Sequence, residues 1–186
     1  MTKKICMLYT QTNGLHDTCD NVSKKNLYAF ARLVVINYEI GYRSNNTFIS
    51  EKKVRKIVKP NCMFINDNSI AFHGITNEIA NNEGEDIINI LNGFINDLEK
   101  GCVIVSHNVE FHINTLLAEY VRYNIKINLN NYIIIDTISF YHTLSFPKLN
   151  ILYKYLFPDN NENIDNLTKI KNCFLKLYND FENSIK

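Results

Sequence analysis

ICMLYTQTNGLH, residues 5–16, decides the fold. Ile5, Cys6, Met7 and Leu8 make the short apolar run expected of a buried strand, and Tyr9, Thr10, Gln11, Thr12, Asn13 and Gly14 convert it into a polar, turning strand end. The carboxyl ends of strands in α/β sheets are where such proteins commonly place their chemistry. This one carries no acid at all; the first in the chain is Asp17.

Working outward, "ARLVVINYEIGY" (31–42) and "TFISEKKVRKIVKP" (47–60) read as two further strands, with turn signals at Gly41 and Ser44 to Asn46 and a stop at Pro60. Together with residues 4–10 they predict an antiparallel meander. Residues 84–99 then place Ile87, Ile88, Leu91, Phe94, Ile95 and Leu98 at helical spacing, with Gly101 closing the helix. "CVIVS" (102–106) reads as a buried parallel strand. "EFHINTLLAEYVRYN" (110–124) is a helix with Phe111, Leu116, Leu117, Tyr120 and Val121 on its apolar face, and "YIIIDT" (132–137) is another buried strand. A short helix around 149–157 and a last helix over about 164–183, with Leu167, Ile170, Cys173, Phe174 and Leu177 facing inward, complete the chain. Strands first, then alternating strand and helix, predict one α/β domain over 1–186: a mixed sheet flanked by helices.

A chain of 186 residues is long enough for a single substantial core. The net charge of +1 excludes a strongly basic nucleic-acid coat. Five cysteines, odd in number, scattered and without a CxxC pair, read as free thiols in a reducing intracellular compartment, and argue against a cysteine zinc site. The apolar run after Lys3 and Lys4 is too short for a signal or membrane segment, so no membrane association is expected.

Three separated segments carry a resemblance. The strand end reads Tyr9-Thr10-Gln11-Thr12-Asn13-Gly14-Leu15; "VKP" (58–60) and "FHGITNEIA" (72–80) lead through a helix to "IVSHNVEFH" (104–112); and Asn161 to Leu167 precede "FLKL" (174–177). In this order and spacing the chain resembles the 3′-to-5′ exonucleases of the DEDDh group, polymerase proofreading subunits among them. The resemblance covers nearly the whole chain and implies a ribonuclease H-like fold with a five-stranded mixed sheet. In that family, four carboxylates hold two divalent ions that activate water, and a histidine takes its proton.

Carried over residue by residue, the family's acids fall on Tyr9, Gln11, His112 and Asn166, and its histidine falls on Asn161. None of the five keeps the family's residue. Neutral amides do not supply the anionic oxygens that hard divalent cations require, and Tyr9 would place a ring where an ion should sit. The resemblance therefore implies a degenerate member, a pseudo-exonuclease with no catalytic residues, metal or cofactor. Among stray acids, Asp165 lies off the helix face of Asn166, Glu110 faces away from His112, and Asp136 sits at a strand end near the cleft. His16, His73, His107 and His112 would form a metal site only if they converged, and no paired spacing supports one.

The same carry-over makes Thr12, Gly14, Leu15, His73, Gly74, Ile75, His107 and Asn108 candidates for binding a nucleic-acid end. Their bland alternative is packing: Gly14 and Gly74 for tight turns, Asn108 as a helix cap. The "KKVRK" stripe (52–56) with Lys59 reads as protection of an edge strand, and Lys169, Lys171 and Lys176 as the wet face of the last helix. Three functions remain open: a pseudoenzyme that binds single-stranded nucleic-acid ends or regulates a nucleic-acid enzyme, an adaptor working through a protein partner or homodimer, and a divergent exonuclease with weak metal-dependent activity.

Overall fold

The computed structural model describes residues 3–61, 63–140, 147–160 and 163–184, so Cys62 and Asn161 lie outside the described residues. Its centre is a five-stranded sheet in the order β3-β2-β1-β4-β5, formed by β1 (Ile5–Thr12), β2 (Leu33–Ser44), β3 (Thr47–Ile57), β4 (Val103–Ser106) and β5 (Ile133–Asp136). β1 to β3 are the antiparallel meander, and β4 and β5 join in parallel, as a mixed ribonuclease H-like sheet requires.

Alternation along β1 builds the two faces. Cys6 and Leu8 point into a core completed by Ile90, Leu91 and Phe94 of α3 (Ile87–Asp97) and by Ile113, Leu116 and Tyr120 of α4 (Val109–Arg122). Ile5 and Met7 point the other way, against Leu167, Ile170 and Phe174 of α6 (Asn166–Ser184). The inward stripe of α6 is the one that its helical period dictates, and it packs further on Leu152 and Tyr153 of α5 (Leu149–Leu156).

The structure corrects the sequence reading in four places. Two seven-residue helices, α1 (Asp67–His73) and α2 (Asn77–Glu83), are too short to show a period. Their signals were local: Asn66 and Thr76 cap the N-termini by accepting from Ser69 N and Ile79 N, and Gly74 closes α1 at φ 76°. The "YIIIDT" strand is paired on one side only, with Ile133 and Ile134 43% and 39% exposed, because an apolar run of four looks the same at a sheet edge as at its centre. Helix α3 ends at Asp97 with Leu98 as its C-cap, and Gly101 (φ 81°) serves the turn into β4 instead.

The fourth correction concerns charge. Lys169 is buried and donates to Asn150 Oδ1 at 2.8 Å, and Lys171 grips the buried Glu39 of β2 at 2.9 and 3.1 Å. Only Lys176, paired with Asp180, is on the wet face. The basic stripe does lie on edge strand β3, where Lys52 and Lys56 pair with Asp97 and Glu85.

Candidate functional site

The polar end of β1 opens into a cleft of about 620 Å³. Its described walls are Tyr9, Thr10, Gln11, Thr12, Gly14 and Leu15 from β1 and the following turn, Asn66, Asn68, Ser69, Phe72 and His73 from α1 and its cap, and His107, Asn108, Phe111 and His112 from the start of α4. Leu15 and Phe72 stand 81% and 76% exposed at its mouth. No Asp or Glu is among these lining residues.

Tyr9 touches both Asn166 and His112, three of the four described positions onto which the resemblance carries the family's acids. β1 turns Tyr9 toward α6, where its hydroxyl accepts from Asn166 Nδ2 at 2.8 Å; burial raises the phenol's pKa and this bond opposes the rise. Next along the strand, Thr10 turns toward α4. Its backbone N–H donates to His112 Nδ1 at 3.0 Å, and its hydroxyl lies 2.8 Å from the same nitrogen. The His112 ring packs 5.1 Å from that of Tyr9. Because Nδ1 accepts from a backbone N–H, the ring is neutral with its proton on Nε2. Burial pushes its pKa down to about 3, and nearby His107 and His16 add repulsion. Gln11 lines the cleft beside them.

The histidines do not converge on an ion. His16 Nδ1 accepts from Ala31 N at 3.1 Å while its ring stacks on Phe111, and His73 Nδ1 accepts from Ile75 N at 3.0 Å. His107 donates from Nε2 to Pro147 O and contacts Thr137 Oγ1 through Nδ1, both at 2.8 Å. Burial lowers all three pKa values. Each ring thus serves the backbone or a neighbouring hydroxyl. Among the described residues no group of three His, Cys, Asp or Glu side chains is placed to hold a metal.

Asp136, the best of the stray acids, is also engaged. Its carboxylate accepts from the backbone N–H groups of Asn108 and Val109 at 3.0 and 2.8 Å, and from Ile138 N at 3.0 Å. It therefore caps α4. The Asn108 side chain does not, because Asn108 sits in the left-handed region at φ 59°. Glu110 is exposed, and Asp165 binds Thr168 at the start of α6.

Of the residues expected to hold a nucleic-acid end, Thr12, Gly14, Leu15, His73, His107 and Asn108 share the cleft wall. Gly74 and Ile75 do not: Gly74 is the cap of α1, and Ile75 is buried beneath it against Val34, Val35 and Ile65. The sequence reading missed Asn66, Asn68, Ser69 and Phe72, which reach the cleft only because α1 forms. Burial raises the thiol pKa of Cys102 to about 11 and that of Cys173 to about 12, so neither supplies a thiolate nucleophile.

A pair of divalent ions, which the fold family implies, does not fit these groups. Tyr9 is a neutral phenol, Asn166 turns its amide nitrogen toward Tyr9, and His112 Nδ1 is already occupied by Thr10. None supplies an anionic oxygen.

The comparisons agree with this architecture. No curated protein matches the sequence. Among solved structures, the zinc-bound complex of E. coli exonuclease I with single-stranded DNA superposes with a TM-score of 0.67 at 13% identity, over 97% of this chain and 40% of that one. A product-bound exonuclease I gives 0.62 at 14% identity over 96% and 42%, and a complex titled ExoI/SSB-Ct gives 0.61 at 12% identity over 96% and 40%. These likenesses establish the fold, and the chain spans about 40% of the length of those enzymes. The family model described as Exonuclease, RNase_T, matches residues 17–168, beginning just past the end of β1. The chain belongs to this exonuclease family.

Proposed function

We propose that this chain is a non-cleaving member of its family that holds a single-stranded nucleic-acid end in the cleft beside β1. The observation that carries the reading is the contact set at the strand end: Tyr9 bonded to Asn166, and neutral His112 bonded to Thr10, stand where the family resemblance calls for anions. The cleft suits bases better than bare phosphates. Phe72, Leu15, Phe111 and Tyr9 offer apolar and aromatic surface, while Asn66, Asn68, Ser69 and Asn108 offer neutral hydrogen-bonding groups.

Two measurements on the same protein test it. Fluorescence anisotropy with a labelled single strand in chelator should show binding that weakens with salt and with Phe72→Ala. Incubation of that strand with magnesium or manganese should leave its length unchanged. Metal-dependent release of nucleotides that is lost in Gln11→Ala would overturn the non-cleaving part, and absence of binding would overturn the other. A second reading, an adaptor acting through protein contact, draws support from Tyr28 and Phe64, which are 88% and 71% exposed and do not line the cleft.

A further inference from the structure

Beyond Tyr9 the cleft adjoins a second hollow of about 400 Å³, which shares Tyr9, Phe72, His107 and Asn108 with it. Its far wall is Lys148, Leu149 and Asn150 at the N-terminus of α5, with Asn166 of α6 beside them. Behind that wall lies Lys169, only 6% exposed. Its ammonium donates to Asn150 Oδ1 at 2.8 Å, and no carboxylate among the described residues pairs with it. Held by one neutral amide, this buried ammonium has, among the described residues, no anion of the kind that normally offsets its desolvation.

This arrangement orients the wall. A lysine only donates, so it fixes Asn150 Oδ1 inward and leaves the Nδ2 hydrogens for the hollow, polarised by the cation behind them. Lys148 occupies the N-cap of α5 without any side-chain cap, so the first-turn N–H groups keep the partial positive charge of an open helix N-terminus. The Tyr9 hydroxyl, accepting from Asn166, has its own proton to give. No Asp or Glu is among the described lining residues.

We propose that this hollow is an anion subsite for a phosphate monoester, gripped by Asn150 with Lys169 behind it, Lys148 and the α5 N-terminus. Lysine charge thereby offsets the phosphate without a metal. The proposal deepens the nucleic-acid-end reading and rests on it only for the source of the phosphate, either a free nucleoside monophosphate or a 3′-phosphorylated strand end.

Calorimetric titration in chelator at low salt, with inorganic phosphate and with thymidine 3′-monophosphate, tests it. Both should bind the wild-type chain, and both should weaken by about tenfold or more in Lys169→Met and in Asn150→Asp. Asn150→Asp places a carboxylate directly on Lys169 while setting it against the ligand, so its melting temperature should hold or rise as binding falls. Oligothymidylates ending in a 3′-phosphate or a 3′-hydroxyl separate the sources. Tighter binding of the phosphorylated strand assigns the site to strand ends, and equal binding of the two assigns it to the free nucleotide. If phosphate binds but neither strand does, the subsite stands and the nucleic-acid reading falls. The subsite is refuted if folded wild-type protein binds neither phosphate nor the monophosphate, or if both variants bind them as well as wild type.

Discussion

The Asn166 amide donates to the Tyr9 hydroxyl at 2.8 Å, tying the first residue of α6 to the central strand of the sheet. Tyr9→Phe keeps the ring and removes the acceptor. It should cost about 1 kcal/mol in urea denaturation with an unchanged m-value.

The same neutral cluster predicts how the protein answers metals. A ligand that binds only the folded state at a hundred times its Kd stabilises it by about 2.7 kcal/mol. Millimolar manganese should nevertheless leave the melting temperature of the wild-type chain where chelator leaves it, and a clear upward shift would show that Tyr9, His112 and Asn166 hold a divalent ion despite their neutral contacts.

His112 gives the fold an acid sensitivity with a defined sign. Its folded pKa is about 3, below the unfolded value near 6.5, so the unfolded chain binds the extra proton first. Stability is full above about pH 6.5 and falls as pH drops toward 3, with a slope of up to about 1.4 kcal/mol per pH unit from this ring. Burial lowers the values of His16, His73 and His107, which act in the same direction. Denaturation midpoints measured at several pH values should show this slope, and His112→Leu should flatten it.

Glu119 of α4 is 1% exposed and holds three donors on one oxygen: Arg32 Nε at 2.9 Å, Arg122 at 2.9 Å and the Leu33 backbone N–H at 3.1 Å. Glu119→Leu would leave two guanidinium groups facing each other without their shared anion. A loss of about 3 kcal/mol or more is expected in chemical denaturation, and restoring the charge with Glu119→Asp should recover part of it.

Asp136 closes α4 from outside the helix, accepting from Asn108 N and Val109 N. Asp136→Ala should cost about 1–2 kcal/mol and speed amide exchange in the first turn of α4. Asp136→Asn keeps one acceptor and should cost less.

Much of this was legible in the chain. The periods of β1, α3, α4 and α6 marked the core, because a strand or helix of two or more turns must repeat its apolar residues to be buried. The identity of Tyr9 and Gln11 marked a strand end without charge, and that of His112 and Asn166 marked neutral positions on the helices beside it. What stayed hidden depended on partners distant in sequence. Lys169 and Lys171 look like surface lysines until Asn150 and Glu39 are brought to them. Asn108 looks like a cap until Asp136, 28 positions later, takes that task. Helix α1, which supplies one wall of the cleft, is too short for a period and announces itself only through Asn66 and Gly74.

The sheet order also governs how the chain must assemble as it leaves the ribosome. β1 pairs early with β2, but its other edge matches Val103 to Val105, nearly a hundred residues downstream. Until β4 emerges, the buried apolar half of β1, Ile5 to Leu8, has an open flank, and closing that gap means ordering a long intervening stretch at once. The nascent chain therefore passes through a half-built sheet prone to pair with its neighbours, and its yield should depend on holdase chaperones and on synthesis rate.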